Sequence, residues 1–273
     1  MRNWLRILVL FFVPAAVIFL CFRFNLWAGL VSSLAYLGWI FYNGRAGYYG
    51  YRANLAYQRK DEAEAVRRLK RAYETGRPSL HAVAYGYLLL RTGNIAEAER
   101  VLSGLLNKEL NRENKMAAKS NMALVLWKKG RLDEAVRMLE EVYREYKTTT
   151  VYGSLGYLLI LQGDLDRALA FNLEAREYND ADPVILDNLG QTYYLRGELD
   201  KAEEIYVRAA GLAPKFPEPY YHYGLVLLQK NKMDAALQQF REALKHKTSF
   251  LSTVTHEEIE RKIAELKIAA SAE

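Results

Sequence analysis

"LGQTYYLRGELDKAEEIYVRAAGLAP" runs from Leu189 to Pro214. A near copy lies upstream, "LGYLLILQGDLDRALAFNLEAR" from Leu155, and another downstream, "YGLVLLQKNKMDAALQQFREALK" from Tyr223. Aligning the three places Gly156, Gly190 and Gly224 at a step of 34 residues. The same step relates Gly163, Gly197 and Asn231, then Ala168, Ala202 and Ala236, then Ala175, Ala209 and Ala243. Four columns of mostly small residues that keep one period are a signature of repeated architecture, not of a catalytic motif.

These columns resemble the tetratricopeptide repeat family, whose unit is a 34-residue helix–turn–helix. The unit beginning at Pro183 carries Leu189-Gly190, Tyr193, Ala202, Tyr206, Ala209 and Pro214, with Leu186 where the family has its first aromatic. The unit at Pro217 carries Tyr220, Tyr223-Gly224, Ala236, Phe240 and Ala243, with Leu227 for the family's Tyr. The unit at Thr149 has Tyr152, Leu155-Gly156, Ala168 and Ala175, and Asn172 replaces its second aromatic. Upstream the pattern thins to Gly86, Gly93 and Ala98, then Ala123, Gly130 and Ala135, and finally Ala53, Ala65 and Ala72 without either glycine. The resemblance implies an all-α superhelix over residues 46–250. Its six units lie at about 46–79, 79–112, 116–149, 149–182, 183–216 and 217–250, with the first degenerate and a three-residue insertion in Asn107–Lys115.

Close packing explains the columns. Gly and Ala fall where the first helix of a unit (helix A) meets the second (helix B), because a bulky side chain there would hold the helices apart. The turn glycine permits the left-handed conformation that ends helix A. "GELDKA", "GRLDEA" and "GNIAEA" restart the chain with helix formers and an acidic first turn, which favours the helix N-terminus. A stacked array leaves its last apolar face open, and residues 251–273 are expected to cap it. Thr255 with Glu258 three residues on is a capping box, Val254 and Ile259 suit a hydrophobic staple, and Ile259, Ile263 and Leu266 share a face.

Residues 1–45 read as a membrane anchor. They hold four arginines and no Asp or Glu, and so supply +4 of the formal +6. The uncharged runs between Arg6 and Arg23 and between Arg23 and Arg45 are expected to form transmembrane helices at about 4–22 and 25–43. Arg2, Arg6, Arg45, Arg52, Arg59 and Lys60 against Arg23 alone would place a multi-pass protein with its array in the cytoplasm. A single-span anchor with an exported array is the alternative. Phe22-Arg23-Phe24 after the first run argues against a cleaved signal peptide, and Phe19-Leu20 before Cys21 against a lipoprotein.

Enzyme chemistry is not expected. His81, His222, His246 and His256 have no metal-ligand spacing, the single Cys21 excludes an intrachain disulfide or CxxC pair, and no phosphate-binding loop or nucleophile elbow is present. No cofactor, metal or small-molecule substrate is anticipated. Nor is nucleic acid, because the basic excess lies mainly in the arginines flanking apolar runs. Residues 46–78 are net +4, with "RRLKR" at Arg67–Arg71 a candidate lipid contact, and residues 149–182 are net −4.

In the family the inner face is lined by helix A residues, and the resemblance maps these to Tyr57, Tyr87, Trp127, Tyr157, Asp187, Asn188, Gln191, Tyr194, Tyr221 and His222. Such a groove suits a protein or peptide partner, although several of these tyrosines serve equally well as core shared between layers. Arg91 and Lys128 are single basic residues at comparable places, so the carboxylate clamp that grips chaperone C-termini in part of the family is not expected. The expected function is a membrane-anchored interaction scaffold that recruits or organises a protein partner at the bilayer. The alternative is an accessory subunit of a bacterial envelope-biogenesis or secretion assembly whose spans make specific contacts, with Gly29, Ser32, Ser33 and Ala35 as an interface.

Overall fold

The structure is a computed structural model describing residues 8–75 and 79–271. Every regular element among the described residues is helical. The chain divides into two compact units, Met1–His81 and Ala82–Glu273.

In the first unit a π-helical turn, Leu8–Phe12, leads into α1 (Val13–Phe24). Asn25 breaks the helix in extended conformation, and its side-chain oxygen accepts the Trp27 N–H at 2.8 Å to start α2 (Leu26–Gln58). The two helices fold against each other: the Phe22 ring covers Gly29, and the Tyr36 hydroxyl donates to the Leu10 carbonyl at 2.7 Å. Lys60, at φ 62°, turns the chain into α3 (Glu62–Thr75), which closes on the end of α2 through buried Ala53, Ala56, Ala65, Leu69 and Ala72. The degenerate first repeat is therefore the tail of one long helix plus α3, and α2 passes residue 45 without a break.

The structure contradicts the transmembrane hairpin and the multi-pass placement: among the described residues no helix is long and apolar enough to cross a membrane. The reason is physical. Helix α1 has 12 residues, about 18 Å of rise against roughly 30 Å of hydrocarbon. Helix α2 is long enough, but an uncharged sequence is not the same as an apolar one. Gly29, Ser32, Ser33, Tyr36, Gly38, Tyr42, Asn43 and Gly44 dilute it. Ser32 and Ser33 donate back to their own helix at Gly29 O, at 3.0 and 2.8 Å, in place of reaching a second helix. Residues 4–7 of the expected first span lie outside the described residues. The basic "RRLKR" stretch is partly neutralised, since Glu64 holds both Arg67 and Arg68.

The second unit stacks five helix pairs and a cap. The pairs are α4 (Ser79–Arg91) with α5 (Ile95–Leu106), α6 (Arg112–Lys128) with α7 (Leu132–Glu145), and α8 (Thr149–Gln162) with α9 (Leu165–Tyr178). They continue with α10 (Pro183–Leu195) and α11 (Leu199–Gly211), then α12 (Glu218–Gln229) and α13 (Met233–Ala243), before the cap α14 (His256–Ser271). The first helix of each pair ends at the turn column, where Gly93, Gly130, Gly163, Gly197 and Asn231 all have positive φ. The extra residues of Asn107–Lys115 form a connection that Asn111 closes by capping α6, accepting the Asn114 N–H at 2.9 Å.

Inside three of the pairs a helix A glycine faces a large helix B side chain; α6 has Ala123 at that column, and in α8 Gly156 faces Asn172. A Cβ at Gly190 would stand 2.7 Å from the Tyr206 ring, one at Gly224 2.5 Å from the Phe240 ring, and one at Gly86 2.7 Å from Leu102. Tyr206 and Phe240 are wholly buried. Larger side chains join neighbouring layers, as where Leu126, Leu139, Leu155 and Leu158 form one cluster across α6, α7 and α8. At the C-terminal end Thr255 N–H donates to Glu258 at 2.7 Å, and Glu258 N–H donates to Thr255 Oγ1 at 3.2 Å, completing the capping box. Val254 and Ile259 are buried beside Phe240, with Ile263 and Leu266 packed on them.

Gly190→Ala should cost roughly 1–2 kcal/mol, because the ring it meets has nowhere to go and the gain in helix propensity offsets only part of the overlap. Gly104→Ala, on an exposed face of α5 with open space around it, should gain about 0.5–1 kcal/mol. Urea denaturation of the two variants measures both signs.

Candidate functional site: the inner groove and the segment that fills it

The A helices present their other face to a cavity of about 330 Å³. Tyr87 and Arg91 reach it from α4, Trp127 from α6, Tyr157 from α8, Asp187 and Asn188 from α10, and Glu218 from the start of α12. Its remaining wall is the chain's own connection between α13 and α14, through Ser249, Leu251, Ser252 and Thr253.

Aromatic contacts order the rim. Trp127 and Tyr157 meet edge to face at 5.5 Å, and the Lys128 ammonium lies 4.1 Å from the Trp127 ring centroid. Burial pushes the Tyr157 hydroxyl up to about 12. Burial also lowers the Lys128 ammonium, with Glu218 pulling it back.

The floor is a buried polar cluster. His222 Nδ1 lies 2.8 Å from Asp187 Oδ1. Burial works against a charged His222, yet the charge and hydrogen bond of Asp187 outweigh it, and the imidazole is shifted upward. Glu218 is 7% exposed and accepts the Thr253 N–H at 2.9 Å. Burial raises its carboxyl, with Asp187 adding to the rise while the Thr253 bond and His222 oppose it. Beside this cluster a polar ladder stitches layers together. Asn188 Nδ2 donates to Gly153 O at 2.7 Å, Thr192 Oγ1 to Asn188 O at 2.7 Å, and Asn172 Nδ2 to Thr192 Oγ1 at 3.1 Å. Asn172, standing where the repeat pattern wants an aromatic, is thus fully buried and its Oδ1 has no partner among the described residues.

Of the ten residues mapped from the sequence, Tyr87, Trp127, Tyr157, Asp187 and Asn188 line the cavity. Asn188 is also a structural tie through its bond to α8. His222 lies beneath, paired with Asp187. Tyr221 packs on Phe240 with ring centroids 5.6 Å apart, and the Tyr194 hydroxyl accepts from Gln229 at 3.4 Å. Gln191 is half-buried, and its Oε1 has no partner among the described residues. Tyr57 belongs to the first compact unit. Sequence reasoning missed Glu218 and residues 249–253. The readable signal for the latter was a long connection, residues 244–255, carrying Phe250-Leu251 among serines and threonines where a short loop suffices to join helices.

Models of the tetratricopeptide repeat match residues 79–103, 120–183 and 188–249. No curated protein matches the chain. Among solved structures, a thermophilic tetratricopeptide repeat protein of Thermus thermophilus, TTC0263, aligns with a TM-score of 0.58 at 21% identity, covering 70% of this chain and 99% of that one. A chain of the APC/C hetero-tetramer Cut9–Hcn1 gives a TM-score of 0.62 at 18% identity over 89% of this chain and 42% of that chain. Both likenesses are of fold.

Glu218 and His222 both hold a proton more tightly folded than unfolded. Their contribution to stability is therefore full at low pH and lost as pH rises through the raised values. Glu218→Gln keeps an acceptor for Thr253 but cannot ionise. It should match wild type near pH 4 and exceed it progressively above the ordinary carboxylate range, to a clear excess at pH 7. Urea melts of both proteins across that range give the difference.

Proposed function

This chain belongs to the tetratricopeptide repeat family, and from that premise we propose that it is an interaction module whose inner groove takes a segment of a protein partner, recruiting or organising that partner. Proteins of the family generally mediate protein–protein interactions. The supporting observation is the cavity itself, to which every A helix of the second unit contributes a side chain. Aromatic rings at its rim supply contact area at low entropic cost, and amide and carboxylate groups on its floor supply orientation.

Binding, and not catalysis, is the reading the side chains favour. Asp187 is engaged by His222 and Glu218 by a backbone N–H, so neither carboxylate is arranged against a nucleophile. Among the described residues no cluster of three or more metal-capable groups occurs.

A photo-crosslinking residue placed at Trp127 or Tyr157 should capture one discrete protein. The same residue at exposed Glu204, on α11, should not. Equal capture from position 204, or none from the groove positions, would show that this face is not where a partner sits.

A further inference from the structure

The connection between α13 and α14 makes a contact that stacked repeats do not ordinarily make. Each repeat in a solenoid touches its neighbours. Here Phe250 N–H, beyond the last pair, donates to Arg91 O at the end of α4, in the first pair of the unit, at 3.1 Å. The Phe250 ring lies 3.4 Å from where a Cβ on Gly93 would stand and 5.1 Å from the Lys128 ammonium. Three residues on, Thr253 N–H donates to Glu218. The segment thus runs across the inner face and is held at both ends by groove residues.

It is also folded for that position. Ser252 N–H donates to Ser249 O at 3.0 Å, and the Ser252 hydroxyl accepts the Ser249 N–H at 3.0 Å. Ser249 Oγ accepts the Leu251 N–H at 3.3 Å. Two serines therefore close a tight turn with Phe250 and Leu251 at its tip, and Leu251 lines the cavity. The hold is nonetheless modest. Phe250 keeps 40% of its surface exposed, and the polar anchors are two backbone N–H bonds and one side-chain bond between Thr253 and Tyr157. A segment with few buried contacts opens locally at low cost.

We infer that Ser249–Thr253 is a tethered occupant of the binding groove that competes with the partner, and that the displacing segment shares its chemistry. That segment carries adjacent bulky apolar residues on a turn flanked by hydroxyl side chains. It brings no carboxylate, because Glu218 and Asp187 already stand at the cavity. The inference rests on the groove reading above. A tether of this length holds its segment at an effective concentration on the order of millimolar, so free peptide meets a groove that is mostly filled.

The probe is a fluorescent peptide of residues 247–254, KTSFLSTV, titrated by anisotropy into the full chain and into a variant whose residues 248–253 are replaced by a Gly/Ser linker of equal length. Val254 and the Thr255–Glu258 cap remain in that variant, and a thermal melt checks that α14 stays docked. The peptide should bind the opened variant at least about tenfold tighter than wild type, and Phe250→Ser in the peptide should abolish the gain. Where the linker loosens the cap, Phe250→Ser in the full chain serves as the opened protein and should give the same direction. Equal affinity for wild-type and opened protein, or a gain indifferent to Phe250→Ser in the peptide, overturns the inference. Its failure is separable from that of the proposed function. A partner captured at Trp127 equally by wild-type and opened protein keeps the groove and removes the occupant. The tenfold peptide gain with no protein captured by either keeps the occupant and removes the recruiting role.

Discussion

The close approach of a helix A glycine to a large side chain on helix B sets the geometry from which the rest of the second unit follows. Gly190 under Tyr206, Gly224 under Phe240 and Gly86 under Leu102 are the same contact repeated. With no Cβ in the way, the ring or branched chain sits directly on the backbone of its partner helix, and dispersion between close-packed atoms supplies the cohesion. The interval between the two residues is fixed by the turn column, where a left-handed residue reverses the chain after each helix A. At Gly156 the facing residue is Asn172. The same proximity that elsewhere buries an aromatic there buries an amide, and the amide is satisfied in part by Thr192 on the next helix A. One layer of the stack is thereby tied to the following one by hydrogen bonds as well as by apolar contact.

Helices packed this tightly on one side are left with a second face, and the groove is the sum of those faces. Its character comes from an uneven distribution of charge. Carboxylates from α10 and α12 sit at its floor with one imidazole between them, while Lys128 and the aromatic pair Trp127 and Tyr157 mark its rim. Burial penalises both charged forms: it raises the Glu218 carboxyl directly, while His222 is raised because the charge and hydrogen bond of Asp187 outweigh the same penalty. The segment after α13 meets this surface with an N–H toward Glu218 and with a ring toward Lys128, a match in polarity at each of the two points.

The first unit shows how a count of charges misleads. Twenty-one uncharged residues between Arg23 and Arg45 look like a span when only ionised groups are treated as costly. Hydroxyls, amides and bare glycine backbone also resist transfer into hydrocarbon, and α2 carries all three. The hairpin at Asn25 sets the Phe22 ring on Gly29, and farther along α2 pairs with α3 through alanines, short-range contacts of the kind used in the second unit.

What the sequence determined by itself was everything that repeats. Glycines and alanines at a fixed step specify helix, turn and helix, because only small residues allow that approach and only a few residue types tolerate positive φ. Thr255 and Glu258 specify the cap because its bonds are local in the chain. Five of the groove positions were legible for the same reason, since a residue's face on a helix follows from its register. The tertiary structure alone decided what lies in that groove. Arg91 and Phe250, or Glu218 and Thr253, carry no periodic relation, and their meeting depends on how the stacked pairs place the two ends of the array around a common inner face. It likewise decided that Asn172 is a buried tie and that Tyr194 and Tyr221 belong to neighbouring contacts away from the cavity, because burial is a property of what packs against a residue and no single stretch of chain contains it.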